Sequence, residues 1–463
     1  MMSKPYEGVQ HRKEAFFTKD KSFYKALFSM LIALSLQNLI AYSVNMADNI
    51  MLGSYSQPAL SGAAAVNQIF FIVQQLTLGI GDGLVVLAAQ YWGEGRTSPI
   101  RRLTGTALKF GVICSIIIIA LCTLFPGQLL GLFTNDPEII AEGRAYLSVI
   151  RFTFLFFMLT QVLMAALRSV EIVKISFYIS IVSLIVNVGI NYTLIFGRFG
   201  MPEMGVRGAA VGTLAARILE FVIILFYTVR LDKRLCLFSE QFLKPDPDLT
   251  RDFFRTDIPM LLSSLLWAVS VPMQTAILGH LSSDAIAANS VATTFYQYLK
   301  VIVQAMSAAS AVMIGRAIGV GDEARVRSDA RTLSVIDVLI GLILGLLLFV
   351  LRHPLLGLYR IGDSALQLAD QLIVIMSFIM VGMSYQMPVS FGIIRGGGDV
   401  RFTMVMNMIS TWAIVMPLSF LSAFVWKWSV PMVVLMIQSD QIFKGLPTFL
   451  RFRTYKWIRK LTR

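Results

Sequence analysis

Runs of about 20 apolar residues recur along the chain from Leu27 to Leu450, divided by short polar links. The runs carry neither a two-residue alternation nor the segments of about 10 that build an outer-membrane barrel. Each is long enough to cross a bilayer as a helix. The pattern predicts an all-α membrane protein of twelve transmembrane helices, over 26–54, 58–92, 100–125, 138–167, 171–197, 206–230, 251–281, 284–319, 323–351, 362–394, 400–424 and 429–451. Turn chemistry separates them: Ser56-Gln57-Pro58, Phe125-Pro126-Gly127, Thr134-Asn135-Asp136-Pro137, the stretch from Gly197 to Gly208, and Gly319 to Asp322. Several runs exceed what a bilayer requires, so tilt or protrusion is expected.

Composition agrees. Of 463 residues, 56% are hydrophobic and only 14% charged, against about 25% charged in soluble domains. That balance excludes a soluble enzyme, a disordered chain and a secreted disulfide scaffold. Cys114 and Cys122 lie about 12 Å apart along one helix, too far to bridge, and Cys236 falls in a basic loop. His11, His280 and His353 are scattered, and no spacing suggests a metal site. The residues through Lys25 are charged and lack a signal-peptide core, so the first apolar run is read as a retained span.

The net charge of +13 invites a nucleic-acid reading, but basic residues in a membrane protein record topology. With both ends inside, about 31 Lys and Arg fall on the cytoplasmic face and about six outside. Arg12, Lys13, Arg101, Arg102, Lys233, Arg234, Arg325, Arg327, Arg453 and Lys456 are among the inner ones. The expectation is a multi-pass protein of the cell membrane, both termini cytoplasmic, with the lipid bilayer as partner and no nucleic acid.

The longest inner link contains Lys244-Pro245-Asp246-Pro247 and divides the chain nearly in half. The halves repeat. Asp48 to Gly53 aligns with Gln274 to Gly279, Ala59-Leu60-Ser61-Gly62 with Ala285-Ile286-Ala287-Ala288, and Gly93 and Gly95 with Gly319 and Gly321. One residue later in register, Leu167-Arg168 meets Ile394-Arg395 and Lys174 meets Arg401. Six helices per half insert the same way round, which is a parallel repeat about an axis along the membrane normal. The expected organisation is an N-terminal segment (1–25), an N-lobe (26–230), a linker (231–250), a C-lobe (251–451) and a basic tail (452–463), the lobes flanking a central cavity.

Met46-Ala47-Asp48-Asn49-Ile50-Met51-Leu52-Gly53 closes helix one, and a Gly-rich helix two runs into Gln90-Tyr91-Trp92-Gly93. Helix five reads from Asn187 through Asn191 to Gly197. Helix six opens Gly205-Val206-Arg207-Gly208-Ala209-Ala210-Val211-Gly212-Thr213, and the second half carries Phe391 to Asp399. In order and spacing these resemble the multidrug and toxic compound extrusion (MATE) family, over about residues 25 to 450. The resemblance implies two six-helix bundles around a cavity. It implies ion-coupled efflux of small organic, often cationic, compounds by alternating access, with one chain sufficient.

Asp48 is the sharpest candidate, because an ionisable group within a span is costly and usually faces a cavity. Such a carboxyl can carry a proton or, with other oxygens, hold Na⁺. Asn187 and Asn191 share a helical face, and Thr213 falls at a similar depth on the next helix. By resemblance, Asp48, Asn187, Asn191 and Thr213 map onto the N-lobe cation site. Many relatives have Asp where Asn191 stands, so this site carries less charge and favours H⁺ over Na⁺. Asp82, within Gly79-Ile80-Gly81-Asp82-Gly83, either adds negative charge to the cavity or pairs with a nearby Lys or Arg.

In the second half, the positions at which sodium-dependent relatives carry acids hold Trp267 and Ser384, and the repeat partner of Asp48 is Gln274. With Asp82, these three are placed at the substrate cavity. The helix-one position at which relatives carry a kinking proline holds Ala33. Glu220, three residues after Arg217, suits a structural pair, whereas the roles of Arg151 and Lys300 are open.

No cofactor is expected beyond the transported H⁺ or Na⁺. Motifs for an intramembrane enzyme, a Walker loop and a channel filter are missing from the sequence. The expectation is therefore an antiporter of small organic cations and not an enzyme. The rival is a lipid-linked saccharide flippase of the same superfamily.

Overall fold

A computed structural model of the chain describes residues 16–239, 242, 244–357, 359 and 362–463. The N-lobe comprises α1 (Lys21–Tyr55), α2 (Gln57–Gly93), α3 (Thr97–Leu124), α4 (Pro137–Ile150 and Thr153–Ser169, bent by 50°), α5 (Lys174–Ile195) and α6 (Val206–Leu231). The C-lobe comprises α7 (Pro247–Gly279), α8 (Ser283–Val320), α9 (Glu323–Leu356), α10 (Asp363–Ile394), α11 (Val400–Val425) and α12 (Val430–Ile437, Asp440–Phe443 and Gly445–Arg453). Among the described residues ten helices are long and apolar enough to cross a membrane, and the bent α4 makes an eleventh. Two elements thus depart from the expected unbroken rods. In α12 the breaks flank the buried Asp440–Lys444 pair, which pulls polar groups inward at 2.7 Å. In α4, Arg151 sits at the bend with its guanidinium 5.0 Å from the Phe152 ring.

The repeat is visible in local chemistry. Ser56 caps α2 through the Ala59 N–H, and its repeat partner Ser282 caps α8 through the Ala285 N–H, at 3.1 and 3.0 Å. Gly95 and Gly321, also partners, both take positive φ (73° and 86°) just beyond those helices, where a side chain would be strained. α2 and α8 cross where repeat-related residues meet each other. A Cβ built on Gly93 comes within 2.9 Å of Gly319 Cα, one on Gly319 within 3.0 Å of Gly93 Cα, and one on Gly315 within 2.9 Å of Ala89 Cβ. Related residues touch one another only on a symmetry axis, so the pseudo-twofold passes through this crossing.

The apolar core has an instructive shape. At the end of the bundle that holds the described termini, one continuous core joins both lobes: Leu27, Leu84, Leu103 and Leu167 with Phe253, Val312, Leu333 and Ile393. Toward the other end it splits. One cluster belongs to the N-lobe alone (Leu52, Val66, Tyr146, Ile195) and another to the C-lobe alone (Leu278, Tyr296, Leu348, Met380). The lobes are fused at the terminal end and separately packed at the opposite end.

The linker is docked. Leu235 and Leu237 are buried in the shared core, Arg101 donates to the Leu235 carbonyl at 2.7 Å, and Arg102 pairs with Asp246 at 2.9 Å. All three cysteines are free, as their spacing requires.

Candidate functional site

Two polar centres occupy the N-lobe and the lobe junction, and they differ in kind. The first lies in the half of the N-lobe away from the described termini. Asp48 sits two turns before the end of α1, half-buried. Asn191 on α5 donates its side-chain amide to Asp48 Oδ1 at 2.5 Å and to Asn187 Oδ1 at 3.3 Å. Asn187 donates in turn to Thr213 Oγ1 on α6 at 3.3 Å. Both asparagines are fully buried. The structure thus brings Asp48, Asn187, Asn191 and Thr213 into one hydrogen-bonded row across three helices.

Small residues make the row possible. Gly212, one residue before Thr213, is where α6 approaches α5, and a Cβ there would stand 2.0 Å from Asn191 Oδ1. That oxygen is buried without a hydrogen-bond donor. Arg217, one turn further along α6, lies within electrostatic reach of Asp48, as does the buried Tyr146 of α4. Glu220 holds Arg217 at 2.8 Å, the structural pair their spacing suggested. No group of three or more His, Cys, Asp or Glu among the described residues is arranged to hold a metal ion.

The second centre is at the terminal end. Asp82 on α2 is gripped by Arg168 of α4 at 3.2 Å and by Arg395, at the end of α10, at 2.6 Å. Its charge is used there and not presented to the cleft, so the pairing reading holds for Asp82 and the cavity placement does not. Arg168 and Arg395 are repeat partners, so one acid in one lobe is shared by equivalent residues of both. Asp257 of α7 packs against Gly83, where a Cβ would lie 2.1 Å from its Oδ1. Both Asp257 oxygens are buried and lack a donor.

The C-lobe positions separate. Trp267 lies at the lobe boundary, its ring 5.9 Å from Phe71 of α2. Ser384 does not: it is buried against Gly341 of α9 and belongs to the packing of α9 on α10. Gln274 is half-buried near the C-terminal end of α7, with no acid in the place that mirrors Asp48. Sequence reasoning overlooked Asp257 and Asp337, which are buried with both oxygens unpartnered. Their signal was available, since each is an acid inside an apolar run.

Comparison with known proteins places the architecture. The MatE family model matches residues 33–193 and 259–421, one segment in each lobe. The Probable multidrug resistance protein NorM of Thermotoga maritima is 25% identical over 442 residues, covering 94% of this chain and 93% of that protein. Multidrug resistance protein MdtK of Pectobacterium atrosepticum is 23% identical over 403 residues, covering 86% and 87%. Among solved structures, the bent form of the Vibrio cholerae MATE transporter VcmN superposes with a TM-score of 0.83 at 20% identity, covering 94% and 97%. An outward-facing multidrug resistance MATE transporter of the MOP superfamily gives 0.85 at 15%, covering 95% and 98%.

Proposed function

From the premise that this chain belongs to the MatE family, whose model spans both its lobes, we propose that it is an ion-coupled antiporter that exports small organic compounds by alternating access. The relatives it matches are named for multidrug resistance. The divided outer core supports a cleft open to the far side, and the fused terminal end supports a closed inner gate. With the Lys and Arg excess at the terminal face, that face is read as cytoplasmic, in the cell membrane. One chain contains both lobes and the whole cleft, so the monomer is the proposed transport unit.

The observation that carries the coupling assignment is the row Asp48–Asn191–Asn187–Thr213. A carboxyl in this setting has one anionic group and neutral amide and hydroxyl partners. A Na⁺ cage wants six or so oxygens with more than one charge close by. Here Asn191 presents its N–H, not an oxygen, to Asp48. A donor aimed at the carboxylate occupies an oxygen that a Na⁺ cage would need, so H⁺ is the proposed coupling ion. In the deprotonated state Asp48 also offers a counter-charge to the cationic part of a substrate.

Ethidium efflux from vesicles carrying wild type or Asp48→Asn, across pH and with or without Na⁺, tests this. The expected result is pH-driven transport abolished by the substitution. Na⁺-driven, pH-insensitive efflux would overturn the ion assignment. Undiminished pumping by the variant would overturn the site.

A further inference from the structure

Lys300 lies in the middle of α8, 17 residues beyond Ser283 and 20 before Val320. At 1.5 Å per residue, either helix end is about 25 Å or more away. A lysine stem reaches about 6 Å, well short of either helix end. The side chain is nonetheless only half-buried. Its ammonium stands 5.6 Å from the Trp267 ring centroid and makes no hydrogen bond or ion pair among the described residues. Trp267 in turn meets Phe71 of the N-lobe. The amine therefore lies beside a ring that meets the other lobe, with its N–H donors unused among the described residues.

The surrounding charge does not cancel it. The acid whose charge acts on Lys300 is Asp440 of α12. Asp440 already accepts from Lys444 at 2.7 Å, and Lys444 also donates to Asn407 at 2.8 Å. Asn407 continues to Ser263 at 3.0 Å, closing that network. Asp440 is thus committed to Lys444, and Lys300 has no ion pair of its own among the described residues.

The stretch of α8 that carries Lys300 also touches the N-lobe helix that carries Asp48. Tyr298 donates to the Met46 sulfur at 3.3 Å where α1 and α8 touch across the boundary. Asp48 is two residues beyond Met46 and Lys300 two beyond Tyr298. Because α1 and α8 run in opposite directions, Asp48 lies just outward of this contact and Lys300 just inward.

On the reading of this cleft as a drug path, we propose that Lys300 and Trp267 form an anion subsite for the carboxylate of an aromatic zwitterion whose cationic end faces Asp48. Two of the unused ammonium donors meet the carboxylate oxygens, and the rings of Trp267 and Phe71 take the planar system attached to it. Simple cations use the Asp48 side alone. Aromatic amino acids with a fixed cation are thus the preferred class.

The test uses the full-length protein in nanodiscs and a rhodamine bearing a free benzoate beside its ethyl ester, the same fused rings without the anion. Binding is read by fluorescence anisotropy, which needs no ion gradient, and efflux is read in parallel with ethidium. Wild type is expected to bind the free acid at least about tenfold more tightly than the ester. Lys300→Met is expected to abolish that preference while leaving the ester and ethidium unchanged, and Lys300→Arg to retain most of it. Equal wild-type affinity for acid and ester overturns the proposal. So does a parallel loss of both ligands in well-folded Lys300→Met, which would make the lysine a packing element. A wild type that binds the acid selectively but fails to pump ethidium would instead refute the antiport reading and leave the subsite standing.

Discussion

The Asp82 carboxylate of the N-lobe accepts from Arg395 of the C-lobe at 2.6 Å and from Arg168 of its own lobe at 3.2 Å. One acid thereby bridges two cations that the repeat would otherwise set against each other, leaving the trio with a net charge of about +1. Removing it leaves two guanidinium groups facing each other with nothing between. Asp82→Asn should weaken the packed terminal end by about 1.4 kcal/mol, less than a fully buried pair because the groups keep some exposure. Cysteines placed along the terminal half of α2 and α8 should then be labelled by a membrane-impermeant thiol reagent about tenfold faster from that face. Unchanged labelling would show that the helix crossing alone holds the end shut.

A second tie crosses the same gap. The tail places Lys460 at 2.9 Å from Glu94 of α2 and Arg463 at 2.8 Å from Asp252 of α7, so it spans the two lobes. Between them the Leu461 N–H donates to Gln90 Oε1 at 2.8 Å, and Gln90 donates back to the Arg459 carbonyl at 3.1 Å. Glu94 has its carboxyl held below its usual value, since its hydrogen bonds to Lys460, Thr462 and Arg96 outweigh the larger single effect of its burial. The exposed ion pairs contribute little singly and are screened by salt. Deleting residues 458–463, which keeps the buried Trp457, should therefore raise terminal-face labelling severalfold at low salt. The difference should shrink as salt rises. A salt-independent effect would assign the tie to the Gln90 bonds instead.

How much of this was legible in the residues depends on range. The caps at Ser56 and Ser282 and the paired glycines at 93 and 319 are local signals, and the repeat could be read from them. The row from Asp48 to Thr213 was reachable because Asn187 and Asn191 share a face and helix depth follows from counting residues. The Asp82–Arg395 bridge joins residues 313 apart. Only the packing of α2 on the C-lobe brings them together, so the pairing was readable as a type and not as a partner. The same holds for Lys300, whose direction is set by the Trp267 ring on another helix. The break in α12 was hidden for a different reason. An apolar run read by hydropathy gives no weight to one Asp and one Lys that bond each other inside it.

Gly212 offers a test of the N-lobe row that leaves every polar residue in place. A methyl group there would lie 2.0 Å from Asn191 Oδ1, so either the amide swings away from Asp48 or α6 shifts. Gly212→Ala should reproduce the transport defect of Asn191→Ala, with coupled efflux reduced about tenfold or more. Gly189→Ala on α5 meets nothing within 4 Å and is the neutral control. Comparable pumping by Gly212→Ala and wild type would show that the Asn191–Asp48 contact is dispensable.

The linker supplies a pH prediction outside the membrane. Asp246 caps α7, and its carboxyl is held below 3.8, first by the Leu249 N–H and then, against a smaller opposing effect of burial, by Arg102. A carboxyl whose folded value is depressed stabilises the fold above its unfolded value near 4. That contribution is lost as pH falls through the folded value. Asp246→Ala should cost about 1 kcal/mol at pH 7, the usual worth of such a cap. Asp246→Asn, which still caps but cannot pair with Arg102, should cost less. Thermal unfolding in detergent at pH 7 and near pH 3 measures both, and the gap in Tm between wild type and Asp246→Ala should narrow at the lower pH. A gap of constant size would mean that the carboxyl works as a neutral hydrogen-bond acceptor and that its charge stabilises nothing.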